Sequence, residues 1–316
     1  HDSDARAAYY REHIQQNEHI SGLRQALDTW CSIWFWPVDD IEHAPMPGGL
    51  LAPTRGQLET VERLSAKYRF FHWELEFPEV FTGENPGFSA VIGNPPWETQ
   101  KPNSKEYFSN IDPLYRAYGK QQALGKQQQY FERDSREEQR WMEYNARYKA
   151  LSNWCKNAAS SFGANKDLGD TVSLARGKQG TRLHEFWAQR RAKHRVRSRG
   201  DGEVPFRHQG AADINTYKLF LEVCHNLVKP GCWFGMLVPS GIYSDKGTGD
   251  LRKLFLEKCR WKWLFSFENR QKVFDIDGRF KFCPVIVCKG GSTDAVLTAF
   301  MRHDISEWER AEEFVT

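Results

Sequence analysis

The stretch that most constrains this chain is Phe88 to Trp97, FSAVIGNPPW. Its first five residues form an apolar run without the alternation of a half-wet strand, which predicts a strand buried on both faces, as in parallel sheets. Gly93 ends the run, and two prolines and a tryptophan stiffen the turn beyond it. In open α/β sheets, ligands bind in the crevice outside the carboxyl ends of the strands. The turn Gly93-Asn94-Pro95-Pro96-Trp97 therefore falls where a functional site is expected.

Downstream, INTYKLFLEVCHNLVKPG places Tyr217, Phe220, Leu221, Cys224, Leu227 and Val228 on one helical face, stopped by Pro230-Gly231. CWFGMLVPSG then predicts a buried strand, GDLRKLFLEKC a helix, KWLFSF a third strand, and FKFCPVIVC a fourth in which Pro284 marks an edge or a bulge. Strands alternating with helices predict a doubly wound parallel sheet.

Residues 1–70 read as a helical segment, with Leu23, Leu27, Trp30 and Trp34 on one face of a helix that Pro37 closes. Aromatic residues at that spacing predict core rather than a cofactor box. Residues 99–212 are polar, charged and rich in Gln, and REEQRWMEYNARYKALSNW predicts a long exposed helix. This stretch is an insertion or lid between segments of buried character. Its part 176–199 holds nine Lys or Arg against one acid, Glu185. That basic run is either a solvated helix and loop or a contact for a nucleic-acid backbone.

The formal charge of +3 sets no global field, so the local distribution of charge decides the partner. With 12 Trp and 21 Phe, the chain suits a globular protein with stacking surfaces. Its seven cysteines include no C-x-x-C pair, which predicts reduced thiols and a cytoplasmic setting. There is no apolar run of membrane-spanning length, and the polar, charged start of the sequence predicts no signal peptide in it. His72-Trp73-Glu74 has the H-x-E spacing of zinc deaminases, but no P-C-x-x-C comes after it, so no metal site is expected. Pro239-Ser240-Gly241 lacks the G-x-S-x-G elbow of serine hydrolases.

Asn-Pro-Pro-Trp after an apolar strand resembles the catalytic motif of amino-methyltransferases that use S-adenosylmethionine, above all the DNA adenine-N6 methyltransferases. By composition, a chance match to this pattern in a chain of this length is roughly one in a hundred. HWELEFPEVF…GFSAVIGNPPW is similar to the long adenine methyltransferases of restriction-modification and phage-defence systems. TYKLFLEVCHNLVKPGCWFGMLVPSGI resembles the helix and strand that come after their catalytic motif, and FDIDGRFKFCPVIVC resembles their late hairpin.

The resemblance implies an α/β fold, a partial Rossmann-like methyltransferase sheet with a large helical insertion. The catalytic half would comprise 71–98 and 213–316. Asn94 and Pro95 would accept the two hydrogens of the adenine N6 amine, Pro96 would stiffen the turn, and Trp97 would stack the flipped base. Phe282 or Phe280 is the candidate for a second stacking ring. Arg190, Arg191, Lys193, Arg195, Arg197 and Arg199 are the candidates for contacts to the backbone of double-stranded DNA. For the same turn, a rigid loop with a packed tryptophan is the purely structural alternative.

S-adenosylmethionine is the implied cofactor, yet the Gly-rich turn that would bind it is missing from this sequence. The chain begins with His1 and reads as a piece of something longer, the catalytic half without its cofactor half. It is expected to be stable only with the remainder of the same chain or with a partner subunit. A methyltransferase acting on a release-factor glutamine or on ribosomal RNA, and a nucleic-acid-binding scaffold without catalysis, remain as alternatives.

Overall fold

The computed structural model describes residues 17–37, 40, 43–45, 49–157, 206–210 and 213–310, with isolated positions 4, 8 and 12. The chain divides into two compact units, His1–Glu76 with Lys101–Pro205, and Phe77–Gln100 with Phe206–Thr316.

In the first unit, α1 (Glu18–Trp34) starts at Asn17, whose side chain accepts the backbone N–H groups of His19 and Ile20. α2 (Arg55–Tyr68) starts with a capping box in which Thr54 and Gln57 each bond the other's backbone N–H. Ile33, Trp34, Trp36, Val61 and Leu64 share one core. The expected stripe on α1 is only partly present, since Leu23 is 53% exposed and Leu27 37% exposed. The apolar cover reaches only the carboxyl-terminal part of α1, so burial tracks Ile33 and Trp34 and not the whole stripe. His72 bonds Asp28 at 2.7 Å, and Ser65 donates to the other oxygen of the same carboxylate. The histidine of the H-x-E spacing thus ties α1 to the segment just after α2.

α3 (Lys120–Arg133) and α4 (Ser135–Asn157) also lie in the first unit, in the stretch expected to be an insertion. α4 was expected to be exposed, yet Trp141 is buried against Phe108 and Tyr107. Asp112 accepts the hydroxyls of Tyr118 and Tyr130 beneath them. Phe108, Tyr115 and Trp141 give this polar stretch an aromatic core of its own.

The second unit is built on a mixed sheet. β1 (Phe88–Gly93) runs parallel to β2 (Val228–Pro239), joined through α5 (Thr216–Leu227). α6 (Gly249–Lys258) leads to the short β3 (Cys259–Arg260), then come β4 (Trp263–Glu268), β5 (Lys281–Lys289) and β6 (Leu297–Arg302). The strand order is β1-β2-β5-β4-β6, with β3 also pairing to β5. β5 is antiparallel to β2 and to β4, and β6 is parallel to β4. This is a partial Rossmann-like sheet, mixed where an all-parallel one was expected. A parallel neighbour needs a long crossover. α5 supplies one between β1 and β2, whereas the short connection from β4 to β5 returns the chain antiparallel.

One face of the sheet packs Phe234, Met236, Val238, Val285 and Val287 with Leu221 and Cys224 of α5 and Leu251, Leu254 and Phe255 of α6. β1 is not buried on both faces as its apolar run predicts. Among the described residues it pairs with β2 alone, and Ile92 is 91% exposed. Ile92 aligns with Gly235 and with the partly exposed Ile286 of the interior strand β5, so its exposure reflects a sheet face that no described helix covers there. Pro284 lies inside β5, neither at an edge nor at a bulge. It falls between the two short pairings on that side, to β4 at Lys281 and Phe282 and to β3 at Cys288 and Lys289. A residue without an N–H is tolerated in that gap.

Candidate active site

The turn after β1 is fixed from three directions. Gly93 sits against Met236, whose Sδ and Cε would lie 3.4 Å from any β-carbon at that position, so β1 and β2 approach closely there. Pro95 is buried, while Asn94 and Pro96 are exposed. Trp97 is half-buried and donates its indole N–H to the Leu237 carbonyl at 3.2 Å. Its ring packs on the core beneath the helices and also on the aromatic cluster of Phe265, Phe267 and Phe282.

Beyond the tryptophan, the chain is clamped to the start of α5. Glu98 accepts the Thr216 N–H at 3.0 Å, and Gln100 donates its N–H to Ile214 at 2.7 Å. The Thr99 hydroxyl bonds the Asn215 side chain at 2.7 Å, and the Gln100 side chain bonds the Thr216 hydroxyl at 2.6 Å. Asn215 is the capping residue of α5, yet its side chain makes no bond to its own helix. It serves the turn instead, holding Asn94 on a short, braced loop at the carboxyl end of β1.

The carboxyl ends of β1, β2 and β4 lie on the same side of the sheet, as the pairing directions require. There Ser240 donates its N–H to Lys281 at 3.0 Å, and Pro239 stands opposite Phe282. Any side chain at Gly241 would collide with Asp245 Oδ2 and the Tyr217 hydroxyl, at 2.6 and 2.8 Å. The Tyr217 hydroxyl is buried without a hydrogen-bond partner among the described residues. Burial, and after it the nearby Asp245 charge, raises its pKa above the ordinary tyrosine value.

The two candidate stacking rings part company. Phe282 is 3% exposed, stacked on Phe267 at 5.5 Å and edge-on to Phe274 at 5.0 Å, so it is a core side chain. Phe280, two residues earlier, is 49% exposed. Arg190, Arg191, Lys193, Arg195, Arg197 and Arg199 lie outside the described residues. Sequence reasoning missed Asn215, a lone asparagine whose only signal was its place at the start of a helix.

The Eco57I restriction-modification methylase family model matches residues 32–133 and 200–274, more than half of the chain. The chain belongs to this family. The matched residues include the Asn94 turn, α5, β2, α6 and β4 of this Eco57I-family chain. No curated protein sequence matches it.

Among solved structures, it is similar to a Vibrio vulnificus YJ016 protein assigned as the modification subunit of a type I restriction enzyme, at 15% identity and TM-score 0.26, over 31% of this chain and 24% of that one. It is also similar to a Listeria monocytogenes protein assigned as a class I S-adenosylmethionine-dependent methyltransferase, at 12% identity and TM-score 0.28, over 43% and 51% of the two chains. A third similarity is to a chain of a type I restriction-modification system, at 11% identity and TM-score 0.26, over 98% and 82%. The chain thus spans about a quarter of the first of these proteins and about half of the second. No helix among the described residues is long and apolar enough to cross a membrane.

Proposed function

We propose that this chain is the acceptor-binding part of a DNA adenine-N6 methyltransferase in a restriction-modification or phage-defence system. The observation that carries the reading is the braced Asn94-Pro95-Pro96-Trp97 turn, with Asn94 exposed and Trp97 held to Leu237 at the carboxyl end of a parallel strand pair. Membership of a methylase family supports it. In this reading 71–98 and 213–316 form the catalytic half and 99–212 the insertion.

An exocyclic adenine amine is a poor nucleophile because its lone pair is delocalised into the ring. The Asn94 side-chain oxygen and the Pro95 carbonyl accept its two hydrogens, which draws the nitrogen toward tetrahedral geometry and returns the lone pair to it. The prolines limit the ordering entropy lost when the base arrives. Because a base inside a duplex is unreachable, it is flipped out, and stacking offsets the cost of unstacking it. Trp97 offers one ring and the exposed Phe280 the other. Phe282, being core, drops out of that role. The basic run with Arg190, Arg191, Lys193, Arg195, Arg197 and Arg199 supplies backbone contacts whose affinity falls with salt.

S-adenosylmethionine would supply an electrophilic methyl group, and the usual Gly-rich turn for holding it is not in this sequence. β1, the strand beside which such a half would pair, is the edge of the sheet among the described residues. The donor site belongs in this reading to the remainder of the same chain or to a partner subunit. Seven cysteines, five of them buried, suit a reducing cytoplasm.

The test is transfer of labelled methyl from S-adenosylmethionine to mixed duplex DNA by the natural polypeptide that contains this chain, with subsequent digestion to nucleosides. Label in N6-methyladenosine supports the reading. Label confined to protein or RNA, or none despite bound cofactor, overturns it.

A further inference from the structure

The connection from β4 to β5 is organised around one side chain. Asn269 is completely buried, yet every polar atom of its carboxamide is used. Its Nδ2 is shared among the carbonyls of Phe274 at 2.9 Å, Ile276 at 3.2 Å and Asp277 at 3.4 Å, while its Oδ1 accepts the Phe274 N–H at 3.0 Å. Its own backbone N–H donates to the Phe280 carbonyl at 2.8 Å, closing the loop at its base. Aspartate would face three carbonyl oxygens with no donor, and serine is too short to span them.

The loop so formed has an inner and an outer aromatic. Phe274 turns inward, edge-on to Phe282, into the cluster on which Trp97 also packs. Phe280 turns outward, with Val273 and Ile276 each 37% exposed beside it. Just past the loop, Lys281 accepts the backbone N–H of Ser240, the residue immediately after β2, and the carbonyl of Leu237 in that strand holds Trp97. The exposed ring and the Asn94 turn are therefore mounted on one aromatic base.

We propose that Asn269 is a positioning residue for the DNA substrate, fixing the loop so that Phe280 meets the base delivered to Asn94. It touches no substrate itself and acts through Phe280. This rests on the reading of the Asn94 turn as the acceptor site.

The test measures kcat and KM for mixed duplex DNA, with the natural polypeptide, for Phe280→Ala, Asn269→Asp, the double variant and Asn94→Ala. A lost stacking partner lowers kcat/KM for DNA by about fivefold to about 150-fold. The expected result is that loss in each single variant at position 269 or 280, with the double variant no worse than either, because the two act as one unit. Cofactor binding stays unchanged. Should Asn269→Asp fail to fold, Asn269→Ser carries the same comparison, and Phe280→Ala, at an exposed position, is read in any case. Losses that multiply in the double variant, or a loss at Asn269 with none at Phe280, overturn the inference while leaving the acceptor site standing. Undiminished methylation by Asn94→Ala overturns the acceptor site and this inference with it.

Discussion

Trp97 donates its indole N–H to the backbone carbonyl of Leu237 at 3.2 Å, so the turn leaving β1 is bonded to the last residues of β2. One side chain therefore both bonds β2 and packs on two apolar clusters. The two roles separate by substitution. Trp97→Phe keeps a ring and loses the bond, and is expected to cost about 1 kcal/mol. Trp97→Ala removes the packing on both clusters as well and is expected to cost about 3 kcal/mol. Denaturant unfolding measures both.

A second prediction concerns Glu222, which is 2% exposed on α5. Its carboxylate accepts the backbone N–H groups of Arg207 and His208 and the side-chain amide of Gln209, fastening the segment that returns from the insertion. Glu222→Ala removes the carboxylate that the buried Gln209 amide and the part-buried N–H groups of Arg207 and His208 donate to, and is expected to cost about 3 kcal/mol. Hydrogen exchange should then speed up at the amides of Arg207 and His208 before it does so in β2.

These two sites show what the sequence makes legible and what it hides. α5 and β2 were legible as elements because an apolar helix face and an apolar run are local signals, although the helix stops at Leu227, before Pro230-Gly231, Val228 already belongs to β2, and Phe220 is 42% exposed. The edge position of β1 was not, because FSAVIG reads the same whether one or two strands flank it. Glu222 was hidden because an acid on an amphipathic helix is ordinarily solvated, and its burial depends on Arg207 and His208 arriving from about fifteen residues upstream. In the insertion, Trp141 and Phe108 were outweighed by the Gln and charge around them. At the site, the Asn94 motif stood out because paired prolines are rare, whereas Asn269 carried no pattern of its own. The inward turn of Phe282 and the outward turn of Phe280 were decided by register, which alternation alone could not fix.

A third prediction arises from the bare edge. Ile92 is 91% exposed on β1, and Ile286 on β5 is 39% exposed near it, with Gly235 between them on β2. An exposed apolar edge strand favours association, and a lysine there opposes it. Ile92→Lys is expected to change stability by no more than about 0.5 kcal/mol. It should also lower concentration-dependent light scattering of the isolated chain.

The fourth concerns acid. The Arg270 Nε–H at 2.7 Å and, more weakly, the His303 ring at 3.2 Å hold the Glu268 carboxyl below its ordinary value near 4.5. A carboxyl depressed on folding contributes stability that is complete above the unfolded value and disappears as pH falls through the folded one. Melting temperature is therefore expected to drop as pH is lowered below about 4.5. Glu268→Gln should be less stable than the parent at neutral pH and should show a shallower fall in acid.

The central claim is that Asn94 accepts hydrogens from the amine that is methylated. The measurement that tests it most directly is the rate of labelled methyl transfer to duplex DNA by the natural polypeptide and by its Asn94→Ala variant, with unchanged folding checked by melting. The account predicts N6-methyladenosine from the parent and a fall on the order of a hundredfold or more in the variant, the scale of removing one aligned polar group from a reacting centre. Equal rates from the two proteins would contradict it.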